Sequence, residues 1–238
     1  MEKYRLTEET INVNGITLYR IEALKDFGDV KEGDKGGFIE SEENLSHDGN
    51  CWVYGIAKVF ENANVFGNAK VCVDAWVYGN AKVFDNAKVY GNAMVFGNAM
   101  VFGNAEVYGN AEVWGNARVY GNAEVYNNVK IHENTEVYDN AKVFGNAKVY
   151  GNAVVRGNAE VGGNALIQDM SDYIVFKNWW SSGRFFTWTK SNNMWKVGCF
   201  YGSGRELIEK AYKDSEKSGV EYERVVNYVE SILTNEKK

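Results

Sequence analysis

Aliphatic residues recur at every sixth position along most of this chain. Val or Ile stands at Val53, Val59, Val65 and each sixth place through Val125, Ile131 and Val137 to Ile167, without one insertion. A second register of small residues runs four places behind each Val: Ala57, Ala63, Ala69 and on to Ala165, replaced only by Val129 and Thr135. Ile39, Leu45 and Cys51 extend that register backwards, so the body is expected to start near residue 39 with two atypical turns. A period of six matches neither a 3.6-residue helix nor a heptad; it fits a short strand plus a tight turn, repeated. Strand alternation points each Val inward and its neighbours outward. Gly-Asn then makes the corner, because both residues tolerate left-handed backbone angles. Ala sits inside the corner, where little else fits.

The flanks follow other patterns. Ile11 to Ile21 reads as a hairpin turning at Asn14-Gly15, inside an N-terminal cap over residues 1–38. After residue 168 the repeat stops. Phe185–Thr189 and Met194–Phe200 look like strands. Ser203-Gly204-Arg205-Glu206 is a capping box opening a helix with Leu207, Ile208, Ala211 and Tyr212 on its apolar face. Gly219 is expected to end that helix, and Val220 to Leu233 to form a second amphipathic one. The organisation predicted is a cap, a repeat body over 39–168, and a small α+β domain over 169–238.

Composition narrows the function. The formal net charge of -6 argues against polymeric nucleic acid as a partner. The absence of proline suits turns built from Gly and Asn. Cys51, Cys72 and Cys199 form no metal-type spacing, and their odd count points to a reducing compartment. No apolar run is long enough to span a bilayer, and MEKYRLTEET lacks an apolar signal core. The expectation is a soluble, cytoplasmic protein with no membrane partner and no cofactor.

The repeat, written V-Y-G-N-A-K, resembles the hexapeptide-repeat superfamily over residues 39–168. That resemblance implies an all-β solenoid: a left-handed parallel β-helix of triangular section, three hexads to an 18-residue coil, about seven coils in all. At a strand spacing of ~4.8 Å the prism would stand about 34 Å tall. The resemblance also implies a parallel homotrimer.

Stacking by 18 sorts the outward residues after each Val into three columns. One is Tyr54, Cys72, Tyr90, Tyr108, Tyr126, Phe144; the second is Phe60, Tyr78, Phe96, Trp114, His132, Tyr150; the third is Phe66, Phe84, Phe102, Tyr120, Tyr138, Arg156. Exposed rings in such numbers imply rung-to-rung stacking with an oligomer interface, or a platform for sugars or bases. His132 lies between Trp114 and Tyr150, with Lys130 and Lys148 on the same face. In acyltransferases of the superfamily a histidine near the subunit interface is the general base, which would give His132 that role with Glu133 nearest to it. Those enzymes often carry an extruded loop, whereas here the hexads never break.

A second candidate is the stretch from Tyr173 to Arg205, which holds no acidic residue. Lys177, Arg184, Lys190, Lys196 and Arg205 interleave there with Trp179, Trp180, Trp188 and Trp195. Cations can pair with phosphate and Trp can stack on a base; alternatively, the Trp residues form the small domain's core. The reading adopted is a non-enzymatic, homotrimeric binding protein for a small anionic ligand such as a cyclic nucleotide. The repeats also resemble β-helix proteins of phages and prophages. This implies sequestration of a nucleotide second messenger of host immunity, in the cytoplasm of an infected or lysogenic bacterial host. The alternatives are a hexapeptide-class acyltransferase with His132 as base, and a structural or glycan-binding module.

Overall fold

The structure, a computed structural model, describes residues 2–235. Strands β1 (Tyr4–Val13) and β2 (Ile16–Ala23) form the antiparallel hairpin expected at Asn14-Gly15, longer at both ends than the alternation indicated. Strand β3 (Lys35–Ile39) pairs antiparallel with β2 on one side and parallel with Lys58–Val59 on the other. The hairpin is thereby joined to the repeat body as an extension of one of its sheets.

The body is a run of two-residue strands, from β4 (Trp52–Val53) to β23 (Leu166–Ile167). Each pairs in parallel with the strand 18 residues away, as Lys88 with Glu106 and Val89 with Val107. Three parallel sheets result, making a β-solenoid of about seven turns. The Val column and the Ala column are buried throughout, and Thr135 and Val129 fill the Ala positions they replace. Each inward Val contributes roughly 1.5–3 kcal/mol by leaving water.

Polar groups at the corners are matched coil to coil. The Asn98 amide donates to Gly115 O at 2.8 Å, and this bond recurs up the prism. Asn side chains form ladders outside it: Asn80 Nδ2 donates to Asn98 Oδ1 at 3.0 Å, and Asn98 Nδ2 to Asn116 Oδ1 at 3.1 Å. Gly97 shows why the corner favours glycine. Its φ is +69°, and a Cβ there would lie 3.1 Å from the amide nitrogen of Gly115. Six corners nonetheless carry other residues at positive φ: Glu61, Val73, Asp85, Asn127, Glu133 and Asp139. The four acids share one device. Each carboxylate accepts the corner N–H of the next coil: Glu61 from Gly79 (2.7 Å), Asp85 from Gly103 (3.2 Å), Glu133 from Gly151 (2.6 Å) and Asp139 from Gly157 (3.1 Å). A charge-assisted bond offsets the strain of the left-handed backbone.

The first coil is closed by buried polar side chains. Lys3 is buried, and its Nζ donates to Cys51 O at 2.9 Å and contacts Cys51 Sγ at 3.2 Å. Burial holds the Lys3 pKa below the usual lysine range and raises that of the Cys51 thiol. The Tyr4 hydroxyl donates to Leu45 O at 2.6 Å. These bonds satisfy carbonyls on an edge that has no further coil beneath it.

The chain divides into two compact units between Met170 and Ser171. The second unit has a four-stranded antiparallel meander: β24 (Tyr173–Lys177), β25 (Phe185–Thr189), β26 (Met194–Val197) and β27 (Phe200–Gly202). Helices α1 (Gly204–Asp214) and α2 (Glu216–Asn235) follow. The capping box at Ser203 and Glu206 is present. Two local expectations are corrected. Met194–Phe200 is not one strand, because Gly198, at φ +54°, turns the chain back into β27. Gly219 does not end the first helix; it lies inside α2, and a Cβ there would fall 2.2 Å from Cδ1 of Tyr212. Close approach of Tyr212 to α2 is what the missing side chain permits. Among the described residues no helix is long and apolar enough to cross a membrane.

Candidate functional site

The sheet that carries the hairpin also carries the histidine column. Phe60, Tyr78, Phe96, Trp114, His132 and Tyr150 stack in sequence, with centroids 4.5–5.7 Å apart and planes within 16° of parallel. Each ring face inside the column is therefore covered by the ring one coil away; Phe60 is buried against the hairpin, and from Tyr78 onward solvent meets ring edges. This corrects the picture of a stacking platform: a base or sugar cannot lie flat on a ring within the column and can meet only its edge and the groups beside it.

Those groups form a second column immediately before each inward residue. Lys130 Nζ lies 3.3 Å from Glu112 Oε1 and 6.0 Å from the centre of the Trp114 ring. Lys148, one coil on and in register with Lys130, is exposed and has no ion pair among the described residues. His132 Nδ1 lies 3.5 Å from Glu133 Oε1, while Oε2 of the same carboxylate holds the Gly151 N–H. Glu133 is thus held at one oxygen by a backbone N–H and presents the other to His132. The structure brings Trp114, Lys130, His132, Lys148 and Tyr150 together on one face.

The other two faces are more self-satisfied. Tyr90 donates to Glu106 at 3.0 Å and Tyr120 to Glu136 at 3.1 Å. Lys88 pairs with Glu106 at 2.9 Å and Lys142 with Glu124 at 2.8 Å. Burial, then the neighbouring glutamates, push the Tyr108 and Tyr120 hydroxyls up to about 12. Arg156 belongs to the third column, where its Nη1 donates to the Tyr138 hydroxyl at 3.4 Å. It stands on a different face from His132, so it is removed from that patch.

In the second unit the basic, aromatic stretch separates into different roles. Trp188 and Trp195 are each 2% exposed and form the core with Phe186, Leu207, Val226 and Val229. This corrects their assignment as ligand contacts; the Trp188 indole N–H is used internally, donating to Asn193 Oδ1 at 2.8 Å. Trp180 packs half-buried against the same core, and Trp179 is 79% exposed beside it. Lys196 donates to the Gly198 carbonyl, and Arg205 pairs with Glu209 at 2.9 Å. Lys190 is half-buried near the end of β25. Arg184 of the predicted set lines a pocket, together with Cys199, Lys210 and Asp214, which are outside that set. The helical spacing of Lys210 and Asp214, one turn apart on α1, was the available signal.

Comparison with known proteins bears on the repeat. The family model described as YdcK Beta solenoid repeat matches residues 87–103. Over 62 residues the chain is 42% identical to a protein of Escherichia coli (strain K12) described as "Uncharacterized acetyltransferase YdcK". That match covers 23% of this chain and 19% of the other protein, so the chain aligns with about a fifth of that relative's length. The repeat match and the sheet register agree on a parallel β-solenoid.

Proposed function

We propose that the protein is a homotrimeric, non-enzymatic binding protein whose histidine-bearing face takes a small anionic ligand of the nucleotide class. Lys148 carries this reading: an exposed ammonium without an ion pair among the described residues, in register with Lys130 and on the same face as His132 and Tyr150. A phosphate would neutralise the cations while ring edges met the base or sugar. A trimer would place this face in a cleft between prisms. On the resemblance to phage and prophage repeat proteins, the ligand is a nucleotide second messenger, such as a cyclic nucleotide, withheld from host immunity. Native mass spectrometry of protein purified from infected cells tests this. A trimer carrying a nucleotide mass is the expected result; a monomer with no affinity for any cyclic or linear nucleotide contradicts it.

One observation favours a second reading. The Glu133 carboxylate, pinned by the Gly151 N–H and 3.5 Å from His132, is placed to orient an imidazole base. The E. coli relative is named as an acetyltransferase. Acyl transfer from a CoA donor, lost in His132→Ala, would establish this alternative; no transfer in the unmodified protein would remove it.

A further inference from the structure

The second unit holds a pocket of about 70 Å³ between the β26–β27 turn and α1. Two cations bracket it. Arg184 lies along Gly198, where a Cβ would sit 3.4 Å from both Cδ and Nη1 of the arginine. Lys210 Nζ lies 5.7 Å from the centre of the Phe200 ring. The exposed Cys199 lines the same pocket, between Gly198, along which Arg184 packs, and Phe200, which Lys210 approaches. Neither the Arg184 guanidinium nor Lys210 has an ion pair among the described residues. The apolar floor includes Val197 and Leu207, both buried. Asp214 also lines the pocket and forms no ion pair with either cation, leaving the lining with an excess of positive charge.

We propose that this pocket binds the oxyanion of a small ligand whose apolar body rests on the Val197–Leu207 floor. A cavity of about 70 Å³ is too small for a drug-sized molecule and limits the ligand to an oxyanion on a short apolar chain. Arg184 would present its planar fork to the oxyanion and Lys210 a point charge.

Cys199 reports on the pocket directly. The test is alkylation of the full-length protein, with Cys199 followed by peptide mass spectrometry, so that Cys51 and Cys72 are resolved from it. Butyrate, butyramide and inorganic phosphate serve as competitors. Butyrate is expected to slow iodoacetamide at Cys199 more than either butyramide or phosphate does. Anionic iodoacetate should gain about threefold over neutral iodoacetamide relative to the Arg184→Gln/Lys210→Gln variant, the range of a screened pair of nearby charges. Asp214→Asn should strengthen protection by butyrate, the opposite sign to the cation variants. Circular dichroism of each variant separates a lost site from a lost fold. Equal protection by butyramide would overturn the oxyanion, and equal protection by phosphate would overturn the apolar body. Unchanged protection in the double variant would overturn the site itself.

Discussion

The repeat body and the C-terminal unit bury their side chains under different rules. In the body, beyond the end where the N-terminal segment covers Trp52 and Phe60, a residue's environment follows from its place in the hexad: Val and Ala in, ring and charge out, Gly-Asn at the corner. Its contacts then follow from its place in the 18-residue coil. In the second unit identical residue types have opposite fates: Trp188 and Trp195 are core, and Trp179 is exposed. Where register is repeated, position decides burial; where it is not, tertiary packing decides, and chemistry follows packing.

The largest effect expected to sharpen this contrast is in the second unit. Trp195→Ala should cost about 4 kcal/mol, typical of a large aromatic removed from a packed core. Chemical denaturation should show that unit's transition moving to lower denaturant while the solenoid's transition stays. Coincident shifts in both would show that the two regions do not fold by separate rules.

Inside the body, Gly97→Val should cost about 2 kcal/mol, because a β-branched residue is forced to positive φ against Gly115. Gly97→Asp should cost less than about half of that, since a carboxylate can capture the Gly115 N–H as Asp85 captures Gly103. Equal losses from Val and Asp, by thermal unfolding, would remove the compensation argued for the acidic corners. A smaller loss, about 1 kcal/mol, is expected for Asn98→Ala, which breaks one ladder at both of its side-chain bonds.

The smallest effect concerns alkali. Tyr108 and Tyr120 keep their protons to about 12 in the folded chain, while an unfolded tyrosine releases its proton near 10. The folded state therefore binds more protons in that window, so stability is intact below about pH 10 and falls as pH rises toward 12. Absorbance titration of phenolate should show these two groups ionising late. Tyr120→Phe should flatten the alkaline loss of stability slightly.

The fold of the body was legible because its information is local and repeated. The Val and Ala registers alone placed the inward residues, and spacing by 18 placed Trp114, His132 and Tyr150 in one column. Rung-to-rung stacking was legible as one of two possibilities from the 18-residue spacing; what decides for it, the close parallel packing that leaves edges exposed, is set by ring rotamers that a hexad does not reveal. Glu133 was legible as the group nearest His132, but the Gly151 N–H that orients its carboxylate was not. In the second unit the capping box was legible because it is local. Gly219 misled because its cause is the ring of Tyr212 on the neighbouring helix, a contact that residue type alone does not reveal. The pocket around Cys199 was not legible because its cations come from separate elements, the approach to β25 and α1.

Titration calorimetry of the unmodified protein and of Lys148→Glu, against a panel of cyclic and linear nucleotides, tests the binding reading most directly. Saturable heat with at least one nucleotide, abolished by Lys148→Glu with the solenoid intact, is the predicted result. No binding to any of the panel, or binding unchanged in the variant, would contradict it.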